Sequence, residues 1–277
     1  MPAPIAAAQP PRIDRAPAQF PEPGADERRL EQDLRHAVAQ GQFVLHYQPR
    51  VSLASLRTVG AEALIRWPHR KRGMVPPGAF IHLAERNGLI TPIGGWVLRT
   101  AGAEAASWPV PVGISVNVSA RQLADGVLLE QVEAALASGL APERLELELT
   151  ESMLVDAGIE TLMTLSAIRD LGVGLALDDF GTGYASLATL KRLPLTVMKL
   201  DRSLVQGLPH YREDAAITRA LVEMGHALSL TLVAEGIATQ AQRAFLTEIG
   251  CDEAQSFLFS RPLPPERFRA RLAAEAG

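Results

Sequence analysis

The sequence contains a single cysteine, Cys251, among its 277 residues. One cysteine cannot form an internal disulfide, and this scarcity is typical of proteins that work in a reducing compartment. No apolar run approaches the roughly 20 residues that a transmembrane helix needs. The N-terminus also lacks the charged start and apolar core of a secretory signal. These absences favour a cytoplasmic protein with no membrane segment in this chain.

The sequence also lacks an excess of positive charge. It has 27 Lys and Arg against 31 Asp and Glu, a formal net charge of −4. Duplex nucleic acid favours a basic face, so this balance predicts no duplex partner. It is compatible with a small anionic ligand held by metals and a few arginines. There is no repeat of short period, which excludes a solenoid.

The first residues differ in composition from the rest. Residues 1–24 are rich in Pro, Ala and Gln and have almost no large apolar side chains. Such a segment cannot bury enough surface to offset the entropy lost on ordering, so we predict a disordered tail or linker. A tether to another protein is the alternative. Residues 25–277 are long enough for one large barrel or two small domains.

After an N-terminal helix over Asp26–Gln40, short apolar stretches alternate with longer amphipathic ones. The predicted strands are Phe43–Gln48, Val59–Ile65, Gly113–Val118, Leu145–Thr150, Gly174–Asp179, Val197–Asp201, Leu232–Gly236 and Ala254–Phe259. The predicted helices that follow are Pro77–Glu85, Ile93–Ser107, Leu123–Ser138, Ile159–Leu171, Tyr184–Arg192, Asp214–Leu228, Gln240–Ile249 and Pro265–Ala274. About eight strands in roughly 250 residues, alternating with helices, predict an α/β protein with a TIM-type (β/α)8 barrel. Only a turn-like stretch separates the first two strands, so we expect an irregular barrel with an antiparallel first strand.

Polar side chains recur where the predicted strands end, which is where barrel enzymes carry their chemistry. From the second strand to the seventh they are Glu62, Asn117, Glu148, the pair Asp178 and Asp179, Lys199 with Asp201, and Glu235. Burying so many charges costs several kcal/mol per ion unless the groups serve as ligands. Carboxylate oxygens are the ligands that Mg²⁺ and Mn²⁺ prefer. The pattern therefore predicts an oxygen-ligand metal site for two ions.

Taken singly, these residues have simpler structural explanations. One acid of the Asp178–Asp179 pair could cap the next helix while the other is solvated. Lys199 and Asp201 could form a structural ion pair, and Asn117 could satisfy a loop. Their joint occurrence on successive strands favours the metal site.

With these residues in place, the sequence resembles the EAL-domain family of cyclic di-GMP phosphodiesterases. The signature is Glu62-Ala63-Leu64, extended as EALIRW. The other matching motifs are HYQP at 46–49, GMVPPGAFIHLAE at 73–85, SVNVSARQL at 115–123, ELTES at 148–152, DDFGTGYASL at 178–187, KLDRS at 199–203, VAEG at 233–236, and Gln255 with RPLP at 261–264. The match covers about residues 28–273. A bare EAL tripeptide carries no information, whereas this ordered set is very specific.

The resemblance implies hydrolysis of one phosphodiester bond of cyclic di-GMP to linear pGpG, with two Mg²⁺ or Mn²⁺ ions, lowering this second messenger in bacterial signalling. The implied metal ligands are Glu62, Asn117, Glu148, Asp178, Asp179 and Glu235. The implied catalytic residues are Lys199, which matches a lysine that orients and deprotonates the attacking water, Glu151, which matches the acid anchoring the DDFGTGY loop, and Glu62 and Glu235. The implied substrate contacts are Gln48, Glu62, Leu64, Arg66, Asn117, Asp201 and Gln255. A homodimer through the region after the fifth strand is also implied.

Three positions depart from the family pattern. Ala185 stands where the family usually has Ser, Ala238 replaces a common acid, and Ser256 replaces a common Gly. None is an implied metal ligand, so they bear on rate more than on activity. The alternatives are a non-catalytic cyclic di-GMP receptor or interaction module, and a metallophosphodiesterase for other dinucleotides. Retention of every implied ligand favours the enzyme, and the ligand types suit Mg²⁺ and Mn²⁺ equally.

Overall fold

A sheet of nine strands closes into a barrel in the computed structural model, which describes residues 24–155, 158–181 and 190–276. The strands are β1 (Val44–Ser52), β2 (Thr58–His69), β3 (Gly73–Val75), β4 (Gly113–Asn117), β5 (Leu145–Thr150), β6 (Gly174–Phe180), β7 (Val197–Leu200), β8 (Thr231–Glu235) and β9 (Glu253–Gln255). Their order is β1-β9-β8-β7-β6-β5-β4-β2, and pairing of β1 with β2 closes the ring. Among the described strands, β3 pairs with β2 alone, as a hairpin outside the ring.

β1 is the irregular strand of the barrel. It runs antiparallel to both of its neighbours, β2 and β9, whereas the other neighbouring strands of the ring are parallel. Antiparallel strands can be joined by a short turn, while parallel strands need a crossover. β1 and β2 are accordingly linked by a hairpin without a helix. The prediction of an irregular TIM-type barrel with an antiparallel first strand is confirmed.

Helices surround the barrel. They are α1 (Ala25–Gln40), α2 (Pro77–Arg86), α3 (Ile90–Ala106), α4 (Ala120–Ala124), α5 (Leu128–Leu136), α6 (Glu151–Val155), α7 (Ile159–Asp170), α8 (Arg202–Val205), α9 (Arg212–Ala227), α10 (Gln240–Glu248) and α11 (Pro265–Ala276). A continuous core of buried Leu, Ile, Val and Phe side chains packs between them and the strands. Among the helices of the described residues, none has the length and apolarity that crossing a bilayer requires.

The predicted helix Leu123–Ser138 is wrong in its first part. The chain forms two helices there, α4 and α5, and Gly126 between them has a φ of 70°. This left-handed conformation favours glycine and ends a helix. Ser119 and Gln122 start α4 with a capping box, in which each side chain bonds the backbone of the other.

The predicted last strand, Ala254–Phe259, is too long, because β9 ends at Gln255. A turn follows in which the backbone N–H of Leu258 donates to Ser256 Oγ at 3.3 Å. Phe257 lies in this turn and is 61% exposed, so it is not part of a buried strand. Two further predictions lie largely outside the described residues, namely the tail over 1–24 and the helix over 184–192.

An ionic layer fills the barrel at the N-terminal end of its parallel strands. Arg50 Nη1 lies 2.6 Å from Glu146 Oε1, and Arg50 Nε lies 2.7 Å from Glu253 Oε2. The first contact is a hydrogen bond, and the second is an ion pair without hydrogen-bond alignment. Burial disfavours the charged Arg50, but the two carboxylates outweigh it and raise the pKa of the guanidinium. Sequence analysis did not find this layer.

A small apolar layer lies next along the strands. Ala176, Val197 and Val233 form a buried cluster separate from the main core. Side chains of a strand alternate between its two faces, so residues two positions later face the same interior. Those residues are Asp178, Lys199 and Glu235. The barrel interior therefore passes from ionic to apolar and back to ionic at its C-terminal end.

Candidate active site

The carboxylate of Glu62 is held from two directions at the C-terminal end of the barrel. Its Oε1 accepts a hydrogen bond from Asn117 Nδ2 at 2.5 Å, and its Oε2 accepts one from Gln255 Nε2 at 2.5 Å. The donors stand on β4 and β9, while Glu62 is on β2. Hydrogen bonds to a charged acceptor are strong and directional. The two amides therefore fix the orientation of this carboxylate.

Lys199 lies among three further carboxylates. Its Nζ is 2.7 Å from Glu148 Oε2, 2.7 Å from Glu235 Oε1 and 3.0 Å from Asp178 Oδ1. Lys199 and Glu148 are each only 1% exposed, so water screens their interaction very little. Four neighbouring strands, β5 to β8, thus meet at one ammonium group.

The pKa values of this cluster reflect its excess of negative charge. Burial disfavours the charged Lys199, but Glu148, Glu62, Glu235 and Asp178 outweigh it and raise the pKa of the ammonium well above its ordinary value. Burial and then Glu62 raise the pKa of Glu148, against the effect of Lys199. Burial also raises the pKa of Glu235 to about 7. One ammonium does not neutralise this many carboxylates, so the cluster favours a further cation.

A backbone irregularity brings Asp178 and Asp179 to the same site. The pleat of a strand directs adjacent side chains to opposite faces. Here the β6–β7 pairing shifts register between Leu177 and Phe180, and Asp179 has a φ of 55°. Carboxylate oxygens of both residues consequently lie within 4.8 Å of each other and of one from Glu235. A left-handed non-glycine residue is strained, and such strain concentrates at functional sites.

The donor set of this carboxylate cluster fits a divalent cation. Glu148 Oε1 is buried and has no hydrogen-bond partner among the residues that the structure describes. Leaving such an oxygen unpartnered is unfavourable unless a ligand or ion completes it. The converging groups of Asp178, Asp179 and Glu235 are all oxygen donors. Hard cations such as Mg²⁺ and Mn²⁺ bind this kind of set.

Two predicted site residues lie at the edge of the cluster. Asp201 follows β7 and caps α8, where its Oδ1 accepts the Ser203 backbone N–H at 2.9 Å. Within the described part of the chain, Lys199 forms its ion pairs with other carboxylates, so the alternative Lys199–Asp201 pair is not observed. Arg66 lies close enough to Glu62 to feel its charge, and its Nη1 donates to the Ile65 carbonyl at 2.9 Å; within the described residues it forms no hydrogen bond with the acids of the site.

The remaining predicted residues border the cluster. Gln48 and Leu64 line, with Glu62, a cavity of about 720 Å³. The Gln48 amide donates to the Ser260 carbonyl at 3.5 Å. Glu151 is buried and begins α6, directly after β5. The resemblance assigns Glu151 the anchoring of the DDFGTGY loop, whose last three residues, 182–184, lie outside the described residues.

Two residues that sequence analysis did not single out line the same cavity, Arg202 and Phe257. Arg202 directly follows Asp201, and Phe257 lies two positions after Gln255. Arg202 lies within the matching motif KLDRS at 199–203, and for Phe257 the signal available was its proximity to Gln255. The arginine begins α8 and the phenylalanine lies in the turn after β9, and neither has a pattern that separates it from ordinary surface and core residues.

Fold and site together define an α/β-barrel protein with an acidic centre beside a ligand-sized cavity. Comparison with known proteins gives the family. Residues 31–262 match the family model described as the EAL domain. The chain belongs to the EAL domain family.

Relatives are known in bacteria. The chain is 44% identical over 253 residues to the bifunctional diguanylate cyclase/cyclic di-GMP phosphodiesterase MucR of Pseudomonas aeruginosa, covering 90% of this chain and 37% of that protein. It is 39% identical over 246 residues to the cyclic di-GMP phosphodiesterase PdeR of Escherichia coli, covering 86% of this chain and again 37% of the relative. The chain thus spans well under half the length of these curated relatives.

Solved structures agree with the fold. The PaMucR phosphodiesterase in complex with c-di-GMP superposes with a TM-score of 0.82 at 44% identity, covering 87% of this chain and 99% of that one. The EAL domain of Mycobacterium smegmatis DcpA gives a TM-score of 0.72 at 35% identity, covering 84% of this chain and 98% of that one. The similarity therefore extends over nearly the whole barrel.

Proposed function

We propose that the protein hydrolyses one phosphodiester bond of cyclic di-GMP to give linear pGpG, and so lowers this second messenger in bacterial signalling. The observation that carries the proposal is the convergence of carboxylates around Lys199 at the C-terminal end of the barrel. A structure of the 44% identical PaMucR phosphodiesterase is a c-di-GMP complex, which supports the choice of substrate.

Two divalent cations, Mg²⁺ or Mn²⁺, belong to this proposal. Their ligands are Glu62, Asn117, Glu148, Asp178, Asp179 and Glu235. When bound, such ions supply Lewis-acid polarisation of the phosphodiester and of water. The unpartnered Oε1 of Glu148 and the negative excess of the cluster support this assignment.

The chain's own residues have distinct tasks in this scheme. Asn117 and Gln255 hold the Glu62 carboxylate in one orientation. Lys199 forms ion pairs with three carboxylates. Its ammonium is assigned the role of orienting the attacking water. Arg66 suits a phosphate, because its planar fork donates two parallel hydrogen bonds.

The substrate contacts complete the scheme. We assign contacts with the dinucleotide to Gln48, Leu64 and Asp201. Glu151 is assigned the role of anchoring the loop after β6. Residues 25–277 are taken as one EAL phosphodiesterase domain, preceded by a linker or tail. A homodimer and a cytoplasmic location complete the proposal.

Hydrolysis is the direct test. Purified protein with Mn²⁺ or Mg²⁺ is expected to convert cyclic di-GMP to pGpG, measured by chromatography, and a chelator is expected to stop it. Glu62→Ala removes the carboxylate that both amides orient, so product is expected to fall below detection. Glu223→Ala, at an exposed position on α9, is the matched control and is expected to keep full activity. Tight binding without turnover in either metal would make the protein a receptor instead.

Cation binding is expected to stabilise the fold independently of turnover. A saturating ion that binds only the folded state adds about 2.7 kcal/mol at one hundred times its Kd, which is roughly 5 °C or more in Tm for a chain of this size. Calorimetry with and without Mn²⁺ measures this shift. The double change Asp178→Asn and Asp179→Asn is expected to remove most of it, whereas Asp170→Asn, at an exposed position on α7, keeps it. An equal shift in both variants would place the ion elsewhere.

A further inference from the structure

Gln242 is a buried side chain that joins two of the connections at the C-terminal end of the barrel. It is 5% exposed and is the third residue of α10, whose capping box begins at Thr239. In a capping box the side chain of this third residue bonds the backbone at the start of its own helix. Gln242 does more than this, because the other end of its amide bonds a different helix.

The Gln242 amide is fully used by these bonds. Its Oε1 accepts from the backbone N–H groups of Ala238 at 2.8 Å and Thr239 at 3.0 Å. Its Nε2 donates to the backbone carbonyls of Val205 at 3.1 Å and Gln206 at 3.2 Å. A side-chain amide has two acceptor sites and two donor hydrogens, so none remains free. The segment 236–239 after β8 is thereby held against the C-terminal end of α8, which follows β7.

The same two connections are also in close steric contact. Gly236 has a φ of 66°, and a Cβ added there would lie 2.4 Å from Arg202 Cγ. Glycine therefore leaves room for the stem of Arg202 at the end of β8. This contact stops the two connections from approaching more closely, and the hydrogen bonds of Gln242 stop them from separating.

Each connection begins next to a carboxylate of the cluster. Glu235 ends β8, and one of its carboxylate oxygens lies within 4.8 Å of one from Asp179. Asp201 is the N-cap of α8, and its backbone N–H donates to the Phe180 carbonyl at 3.4 Å. Phe180 directly follows Asp179. A displacement of segment 236–239 would therefore reach Glu235, and a displacement of α8 would reach the backbone beside Asp179.

We propose that Gln242 is a positioning residue of the cation site, which fixes Glu235 relative to Asp179 through the connections after β7 and β8. Residues that hold metal ligands in place without binding the metal change its affinity about 10–100-fold when they are replaced. A residue that serves only the fold would change the stability of the protein, but not the affinity of the molecules that are folded. This role rests on the proposed function, because that function supplies the cation.

Gln242→Glu separates the two ends of the amide. The new side chain has nearly the same shape and keeps an oxygen for the N–H groups of Ala238 and Thr239, but it turns a second oxygen toward the carbonyls of Val205 and Gln206. We expect the Kd for Mn²⁺, measured by titration calorimetry on the folded protein, to rise roughly tenfold.

Two further variants make this result decisive. Thr239→Val is the matched control, since it removes the hydroxyl that accepts from the Gln242 backbone N–H at 3.2 Å and leaves the Gln242 amide in place. We expect it to lower Tm, because a helix cap is lost, and to keep the wild-type Kd for Mn²⁺. Gln242→Asn stays neutral, but its shorter stem cannot reach both sides. We expect it to raise this Kd as well, including where Gln242→Glu does not fold.

The outcomes separate this role from the proposed function. An unchanged Kd for Mn²⁺ in a folded Gln242→Glu or Gln242→Asn protein would overturn the positioning role alone. An equal rise of this Kd in Thr239→Val would overturn it too, because any loosening of the start of α10 would then have the same effect. A wild-type protein that binds no Mn²⁺ would overturn the proposed cation site, and the role of Gln242 with it.

Discussion

Lys199→Met is expected to abolish hydrolysis of cyclic di-GMP and to destabilise the fold at the same time. The change removes the ammonium that Glu148, Glu235 and Asp178 share. Breaking a buried ion pair by removing one partner costs about 3–5 kcal/mol, because the other charge stays buried. Loss of a group that orients or transfers a proton lowers rates by about 10²–10⁴-fold. Product chromatography and denaturant unfolding, both compared with the wild type, measure the two effects.

A second change separates the two effects of Lys199→Met. Glu148 is 1% exposed, and burial already raises its pKa. Adding Glu148→Gln to Lys199→Met removes one buried charge, so we expect the free energy of unfolding to recover. Hydrolysis is expected to remain absent, since both Lys199 and an assigned metal ligand are then missing. Recovery of both would mean that Lys199 serves only the fold. A Lys199→Met protein with wild-type turnover would contradict the assigned role outright.

Much of this molecule could be predicted from local patterns. Alternation of apolar strands and amphipathic helices predicted the barrel, because a closed parallel sheet requires both. Glu148 and Glu235 were predicted as site residues because burying a carboxylate at the end of an apolar strand is unfavourable without a partner. The short turn between β1 and β2 correctly predicted the antiparallel strand. In each case the signal lies within about ten residues.

Features that depend on backbone strain or on distant partners could not be predicted. The left-handed Asp179, which brings two adjacent acids to one site, has no sequence signature. β9 ends at a turn in which the Ser256 side chain accepts a backbone hydrogen bond. Serine occurs equally well in many other structural positions, so its presence does not predict this turn. Arg50 and Glu146 are 96 positions apart in the sequence, so nothing local connects them. Glu146 does lie two residues before Glu148 on β5. Because side chains alternate between the two faces of a strand, both point into the barrel.

Arg50→Met is expected to lower the free energy of unfolding by about 3–5 kcal/mol, since Glu146 and Glu253 would remain buried without their cation. The surroundings are shaped for this side chain, because a Cβ at Gly60 would lie 3.3 Å from Arg50 Nε. Denaturant unfolding measures the loss.

Two further variants decide whether this loss comes from charge. Arg35→Met removes the exposed pair of Arg35 with Glu31 and is expected to cost at most about 0.5 kcal/mol. Adding Glu146→Gln and Glu253→Gln to Arg50→Met removes the uncompensated charges, so we expect most of the stability to return. If Arg50→Met cost no more than Arg35→Met, the ionic layer would contribute nothing to the fold. If instead the loss persisted after both glutamines, the packing of the Arg50 stem, and not its charge, would hold this end of the barrel together.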